Sequence, residues 1–484
     1  MSLRRRIFGG GALLGAHHVV HEVLRFARNV IVARILAPED FGVAATFWIT
    51  TGFLATISEL GFQQLLIQAP DGDSERFGAT IQTMMTARSL LIAIVIFALA
   101  SPVATMFRVP EATWAFRLLA IVSVLSGFHH RDMTRFKRAL RFGPAIVSDL
   151  VPTVVTTALA WPIVAYVRDY SAFVWLAIIQ TGLSTLLSHM LAERPFRLGW
   201  EWTVVRRAFG FGWPLLLNSL LMFAVMQGDR IVLARAYTKA ELGLYSVAIG
   251  LAMMPCGMVM GITSQLLLPV FSGFQESRER FESLYRLYAQ CAAAAGLMLG
   301  ALFFILGPAL IALVYGAKYA LAGTVVGWLA AAQSIRLLRA APTTAAMALG
   351  DTRNSLMANV FRQSGLLLAL VAALAKAPLV WIAIAGVVGE LVALSASVMC
   401  VRWRHGLPIR AAASPAAVLF GGLAFCAGIA RSGLAPSSLL TASRILIVLL
   451  GASSAVLLSV SPELRRQLRI FALPLARRLS LTSL

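Results

Sequence analysis

The sequence predicts an all-α polytopic membrane protein with about 14 transmembrane helices. Of its 484 residues, 59% are hydrophobic and only 13% are charged, and the mean hydropathy is +0.80. Apolar runs of about 20 residues, the length that crosses a bilayer as a helix, recur along the chain. A related stretch of sequence also occurs twice. Together these observations predict two pseudo-symmetric lobes of six helices each, followed by two C-terminal helices.

The apolar stretches define the predicted spans and their grouping. They run over residues 9–33, 41–69, 79–106, 113–129, 145–167, 171–191, 208–234, 241–271, 284–314, 320–348, 355–375, 378–401, 412–431 and 438–460. We assign residues 1–200 to an N-lobe with spans 1–6 and residues 201–405 to a C-lobe with spans 7–12. Residues 406–484 hold spans 13 and 14 and a basic tail.

The repeat relates residues 28–46, RNVIVARILAPEDFGVAAT, to residues 229–247, DRIVLARAYTKAELGLYSV. Subtracting the number of Arg34 from that of Arg235 gives an offset of 201, and the same offset carries Gly42 onto Gly243. Internal repeats are common in transporters, where the substrate site lies at the interface between the repeats. The repeat therefore indicates a transporter with its site between two lobes.

The distribution of lysine and arginine predicts the orientation. Basic clusters occur in the segments 4–6, 131–141, 194–207, 278–286, 402–410 and 465–478, whereas the alternate loops carry scattered cations. Such clusters mark cytoplasmic loops, so both termini are predicted to be cytoplasmic. The formal net charge of +21 could also suggest nucleic-acid binding. Because the cations lie in short loops between spans, the membrane explains them better, and no nucleic-acid partner is expected.

The first span contains charges that must be hidden from lipid. Spacings of three and four residues place His18, Glu22, Arg25 and Asn29 on one helical face. A charge at the bilayer centre costs about 2.5–3.5 kcal/mol on the insertion scale. Two interpretations remain open: an internal Glu22–Arg25 pair that fixes helix packing, or a cavity wall that receives an anion.

Other spans also contain ionisable residues, and cations outnumber acids. An excess of cations suits a phosphate-bearing substrate. The residues predicted to bind substrate are Arg25, Arg28, Arg88, Arg230, Arg336 and Arg339. The residues predicted to couple an ion are Glu22, Glu59, Asp149, Asp229 and Glu390. Alternatively, Arg336 and Arg339 could extend toward lipid headgroups, and Asp229–Arg230 could form an interfacial turn. Arg362 lies in the eleventh span without an assigned role.

The remaining motifs do not indicate an enzyme. The sequence Asp71-Gly-Asp73 matches the Asp-x-Asp of metal-dependent glycosyltransferases, but here it lies in a short loop and favours a polar turn with a helix cap. The histidines of the first span lack the spacing of a metal site, although His18 or His21 could bind a proton. No catalytic residues, metal or cofactor are predicted. Because no ATP-binding motif is present, transport would draw on a proton or sodium gradient, or on the gradient of the substrate.

Two segments carry a family resemblance. Residues 33–68, with ARILAPEDFGVAA and SELGFQQLLIQ, and residues 229–248, DRIVLARAYTKAELGLYSVA, resemble polysaccharide-transport flippases of the Wzx type. These belong to the superfamily of multidrug, oligosaccharidyl-lipid and polysaccharide exporters. The resemblance implies two six-helix lobes around a V-shaped cavity and alternating access in the bacterial inner membrane. It implies export of undecaprenyl-diphosphate-linked oligosaccharide for exopolysaccharide, capsule or lipopolysaccharide O-antigen. A polymerase and a chain-length regulator would be protein partners.

Three alternatives stay open at this stage. A lipid II flippase would share the fold and the charge pattern. A multidrug antiporter of the same superfamily would need cavity acids to hold organic cations, whereas this chain has an excess of arginine. A membrane polysaccharide polymerase or ligase would carry a large periplasmic loop, and the longest loops here span about 10–20 residues.

Overall fold

The computed structural model describes residues 3–57, 61–432 and 451, and within these residues it contains helices and no strands. The α-helices are α1 (Leu3–Ile35), α2 (Pro38–Ile57), α3 (Phe62–Gln68), α4 (Glu75–Met106), α5 (Thr113–Gly127), α6 (Asp132–Arg138), α7 (Phe142–Val167), α8 (Ser171–Met190), α9 (Trp202–Ala236), α10 (Lys239–Ser272), α11 (Arg278–Tyr315), α12 (Gly323–Ala348), α13 (Arg353–Leu374), α14 (Leu379–His405) and α15 (Arg410–Arg431). Short 3₁₀ turns, Pro110–Ala112 and Ala317–Ala322, precede α5 and α12.

These helices correspond to the predicted spans up to residue 431. Within the described residues, nine helices are long and apolar enough to cross a membrane, or ten if the bent pair around Gly127 and Asp132 is one span. The chain is therefore a multi-pass membrane protein. Helices α1 and α9, which carry several charged residues, are not among the nine. The predicted span 438–460 lies outside the described residues, so the total of fourteen stays a prediction.

The second predicted span, 41–69, is divided in the structure. Helix α2 ends at Ile57, and α3 begins at Phe62 after Gly61, whose φ of 63° and ψ of 30° lie in the left-handed region. Glycine adopts this conformation without the steric cost of a side chain. At the other end of α3, Arg138 donates hydrogen bonds to the carbonyls of Leu66 and Ile67. The carbonyl groups at this helix terminus are thereby satisfied.

The described chain divides into two compact units, Met1–Ser246 and Val247–Leu484. The first unit contains α1 to α9 and the start of α10, and α9 packs against α2 and α4 within it. The boundary of compactness thus falls inside α10, later than the boundary that the repeat suggests. The division into lobes at residue 200 stays a prediction.

Small residues allow close helix packing in the second unit. A side chain at Gly296 would collide with the backbone of Ser334, which brings α11 against α12. Likewise, Gly365 of α13 and Gly389 of α14 leave no room for each other's Cβ. Close approach through small residues is typical of membrane helices, where van der Waals packing replaces the hydrophobic effect between helices. This packing brings α12, α13 and α14 together around the site described below.

The repeat has a direct structural counterpart in the first unit. A Cβ at Gly42 would fall inside the carbonyl group of Lys239, and a Cβ at Gly243 would fall inside the carbonyl group of Pro38. Pro38 and Lys239 are themselves separated by 201 residues, the offset of the repeat. The starts of α2 and α10 therefore meet in a locally symmetric crossing that requires glycine on both sides.

Candidate functional site

The second unit contains a buried cluster of arginines around one glutamate. Glu390 of α14 is only 1% exposed, and its two carboxylate oxygens bind different helices. Arg339 Nε of α12 lies 3.0 Å from Oε2, and Arg362 Nε of α13 lies 2.6 Å from Oε1. Arg336, one turn before Arg339, also interacts electrostatically with the carboxylate. Three guanidinium groups therefore share a single carboxylate.

This arginine cluster lies far from the helix ends. Arg339 is nine residues before the end of α12, and Arg362 is nine residues after the start of α13. At 1.5 Å per residue, each lies about 13 Å or more along the helix axis from the nearer end. The structure thus directs Arg339 inward onto Glu390 rather than toward the headgroups. Sequence reasoning placed Arg362 inside a span but did not predict its pairing with Glu390, for which its mid-span position was the only signal.

The charge balance of the cluster favours an additional anion. Burying charges costs free energy unless each is paired, and here one carboxylate faces three cations. In the part of the chain that the structure describes, the buried Nη1 of Arg362 has no hydrogen-bond partner. Guanidinium groups form forked hydrogen bonds to phosphate oxygens. The cluster is therefore suited to an anionic group with several oxygens.

Helix α1 carries a second ionisable set, in the first unit. His17 Nε2 lies 3.1 Å from Asp149 Oδ2 of α7, and His21 Nε2 lies 3.8 Å from the same oxygen. Glu22 pairs with Arg25 at 3.2 Å, and the Arg25 side chain is 53% exposed. The face of α1 that meets α7 is thus the face of His17 and His21, one residue away from the predicted stripe.

The other predicted cations of the first unit bind neutral groups. Arg28 donates to Thr156 Oγ1 at 3.1 Å and also to Gln180 Oε1. Arg88 lies over the ring of Phe62, with 5.8 Å between its guanidinium carbon and the ring centroid. These neutral partners carry no charge pattern, and sequence reasoning therefore did not predict them.

Asp229 and Arg230 of α9 have separate partners. The hydroxyl of Tyr245 donates to Asp229 Oδ2 at 2.6 Å, and Arg230 Nη1 donates to Gln227 Oε1 at 3.1 Å. The predicted coupling residue Glu59 lies outside the described residues. The structure therefore distributes the predicted site residues over both units rather than collecting them in one cluster.

A polar cavity of about 350 Å³ lies within the first unit, between α4, α5, α7 and α8. Arg88, His129 and Asp149 contribute its ionisable groups, and most of the remaining lining consists of hydroxyl and amide side chains. Polar cavities inside membrane bundles are costly to maintain, so they indicate function.

The Asp-x-Asp motif is held by arginines. Its carboxylates and the following glutamate each pair with one arginine of the segment between α8 and α9. The pairs are Asp71–Arg207 at 2.8 Å, Asp73–Arg194 at 3.1 Å and Glu75–Arg197 at 2.6 Å. Ser74 caps α4 by accepting a hydrogen bond from Phe77 N. The predicted capped turn is confirmed, and its acids serve to attach two loops to each other.

Another loop carboxylate is bound at the junction of α12 and α13. Asp351 accepts hydrogen bonds from Arg404 Nε at 2.6 Å, from Arg353 N at 3.0 Å and from the His405 ring at 3.0 Å. Burial raises the pKa of the Asp351 carboxyl, but the bonds from His405, Arg404 and Arg353 outweigh burial and lower this pKa below its ordinary value. Asp351 thus anchors the end of α14 in its ionised form.

The apolar helices with buried ionisable clusters define a multi-pass membrane protein with the interior of a transporter. The chain belongs to the polysaccharide biosynthesis protein family, whose model matches residues 31–322. The resemblance inferred from the sequence, to polysaccharide exporters of the multidrug, oligosaccharidyl-lipid and polysaccharide exporter superfamily, is confirmed.

Similar proteins with names include two from polysaccharide pathways. The chain is 25% identical over 374 residues to the succinoglycan biosynthesis transport protein ExoT of Rhizobium meliloti (strain 1021), covering 69% of this chain and 72% of that protein. It is 20% identical over 298 residues to the lipopolysaccharide biosynthesis protein WzxC of Escherichia coli (strain K12), covering 59% of each.

Solved structures show the same fold at low sequence identity. An inward closed structure of the lipid II flippase MurJ matches with a TM-score of 0.72 and 12% identity, covering 92% of this chain and 98% of that one. An inward-facing multidrug resistance transporter of the MATE family matches with a TM-score of 0.62 and 14% identity, covering 79% and 95%. These similarities establish the fold alone.

Proposed function

We propose that this protein is a flippase for undecaprenyl-diphosphate-linked oligosaccharide, which it moves from the cytoplasmic to the periplasmic leaflet of the bacterial inner membrane. Family membership and the transport role in the name of ExoT support this class. The observation that carries the proposal is the mid-helix arginine cluster, in which three guanidinium groups share the carboxylate of Glu390. A lipid-linked diphosphate is an anion that must pass through an apolar layer.

In this proposal the cluster receives the diphosphate. The unpartnered Nη1 of Arg362 and the guanidinium of Arg336 offer hydrogen bonds, while Glu390 holds Arg339 in place. The prenyl tail stays in lipid, because its transfer into a polar site would be unfavourable. Two six-helix lobes then alternate between inward-open and outward-open states, and the excess of cations is exposed in turn to each side.

We further propose that a proton or sodium ion drives the cycle. The supporting observation is the group formed by Asp149, His17 and His21, since histidine changes its charge near physiological pH. Protonation there would remove or add a charge between α1 and α7. The alternative, an antiporter of organic cations, requires a cation-selective cavity and is disfavoured by the arginine excess.

A genetic experiment tests the class. Deletion of the gene in a polysaccharide-producing strain should abolish surface polysaccharide while lipid-linked repeat units accumulate in the cytoplasmic leaflet. Complementation with Arg362→Gln should restore the protein level but only a small part of export, whereas Arg362→Lys should retain more. Arg76→Gln, which removes an exposed arginine at the start of α4, is the matched control and should complement fully. Normal polymer in the deletion strain together with altered drug resistance would contradict the proposal.

Orientation is proposed from the basic loops and has its own test. Single cysteines at positions Lys137 and Arg168, both exposed, are introduced into a background without the native cysteines. In intact spheroplasts an impermeant thiol reagent should label position 168 and not position 137. Equal labelling at both positions would refute the assignment of residues 131–141 to the cytoplasm.

A further inference from the structure

The polar cavity of the first unit differs chemically from the arginine cluster of the second. Of the twelve residues that line it, seven carry hydroxyl or amide groups: Gln63, Ser89, Ser126, Gln180, Thr181, Ser184 and Thr185. Its charged groups nearly balance, with Arg88 opposed by Asp149 and with His129 nearby. The lining has no aromatic side chain other than the imidazole ring of His129, and only Met85 and Pro152 are apolar.

This lining excludes several ligand classes. A diphosphate requires an excess of cations, which the cavity lacks. An organic cation would be repelled by Arg88 and would find no aromatic face to stabilise it. An apolar chain would leave the hydroxyl and amide groups without partners. Hydroxyl and amide side chains both donate and accept hydrogen bonds, as the hydroxyls of a sugar do.

The size and the position of the cavity agree with this chemistry. A volume of about 350 Å³ lies at the lower end of the range for ligand pockets. At about 30 Å³ per water it corresponds to roughly a dozen waters, about as many as the non-hydrogen atoms of a hexose. The lining residues lie near one end of the bundle: Ser126 is in the last turn of α5, and Thr185 lies five residues before the end of α8. The same end carries the basic segment 131–141, which predicts that it is cytoplasmic.

Helix α8 presents the central part of the lining. Gln180, Thr181 and Ser184 are spaced by one, three and four residues, so they line one face. Gln180 is already fixed by Arg28, which donates to its Oε1. Thr185 donates to the carbonyl of Leu125 at 2.9 Å, which leaves its oxygen as an acceptor. Several hydrogen-bonding groups are thus held in place before a ligand arrives.

We propose that this cavity is a glycan subsite that binds an uncharged sugar residue of the lipid-linked oligosaccharide on the cytoplasmic side. The proposal rests on the flippase function and deepens it, since it assigns sugar recognition to the first unit. In this proposal Asp149 and Arg88 accept from and donate to sugar hydroxyls, and Thr181 and Ser184 select the sugar configuration.

Binding to the full chain in lipid nanodiscs tests the proposal with two probes. The first probe is the oligosaccharide released by mild acid from the lipid-linked repeat units of the producing strain, and the second is undecaprenyl diphosphate. The wild-type chain should bind the oligosaccharide saturably. Thr181→Val and Ser184→Ala, which remove one hydroxyl each, should weaken it about three- to tenfold, and Ser184→Leu, which fills the cavity, should abolish it. All three variants should bind undecaprenyl diphosphate as the wild type does.

The matched control is Ser101→Leu, the same change at an exposed serine of α4 outside the cavity, which should bind both probes normally. The absence of saturable oligosaccharide binding to the wild type would overturn the subsite, and so would equal binding by wild type and Ser184→Leu. Because Ser184→Ala and Thr181→Val are small changes, they test the site even if Ser184→Leu fails to insert. A wild-type chain that binds oligosaccharide but not undecaprenyl diphosphate would overturn the proposed flippase function and leave the sugar site intact.

Discussion

Replacing Glu390 by glutamine should destabilise the protein more than any exposed carboxylate replacement. The change removes the only carboxylate that pairs with Arg339 and Arg362 among the described residues, while all three guanidinium groups stay buried. Glutamine fills the same space, so packing is retained and the effect is electrostatic. The prediction therefore isolates the charge of Glu390.

The expected magnitude follows from burial and from the two short pairs. Two charges about 4 Å apart attract by about 4 kcal/mol at an effective dielectric constant of 20. Removing one partner of a buried pair costs about 3–5 kcal/mol. Glu390 is 1% exposed and bridges two arginines, so we expect the upper part of this range. The double variant Glu390→Gln with Arg339→Gln should recover part of the loss, because it removes one uncompensated cation.

Denaturant-induced unfolding of the purified protein in detergent micelles measures these changes in a double-mutant cycle. The matched control is Glu193→Gln, because Glu193 also bridges two arginines but lies at the surface, where ion pairs contribute little. Glu193→Gln should unfold like the wild type. If Glu390→Gln does so as well, the arginine cluster is open to water and the argument from burial is wrong.

Three further predictions follow from other sites. If Arg25 receives the diphosphate, the double variant Glu22→Gln with Arg25→Gln should insert normally but fail to export; full export at a normal protein level would show that the pair is structural. Asp351→Asn should lower the free energy of unfolding at neutral pH by about 1.5–3 kcal/mol, since a charged hydrogen-bond acceptor is lost. Because the folded-state pKa of Asp351 is depressed, its contribution is present above the unfolded pKa of about 3.9 and disappears as pH falls through the folded pKa, so the difference between wild type and variant should vanish in acid. Gly243→Ala should lower the yield of folded protein in membranes because a Cβ would overlap a neighbouring backbone carbonyl, whereas Gly250→Ala in the same helix has open space and should be tolerated.

The sequence by itself determined the class of protein and the positions of the helices. Long apolar runs must become helices in a membrane because each backbone polar group needs a partner within the segment. The repeat was visible because Gly42 and Gly243 are constrained by the same close crossing, so the pattern survives in both halves. Hydropathy and repetition are local properties of the chain, and they can be read without knowing which helices touch.

Only the tertiary structure decided which charges meet. Glu390 finds Arg339 and Arg362 on two other helices, and Arg28 finds the neutral oxygens of Thr156 and Gln180. In water, an amphipathic pattern shows which side of a helix faces the core. In lipid both sides are apolar, so the rotation of each helix about its axis is set by packing against its neighbours and leaves little trace in the local sequence. For this reason the predicted stripe on α1 was displaced by one residue, and the pairing around Glu390 emerged only from the fold.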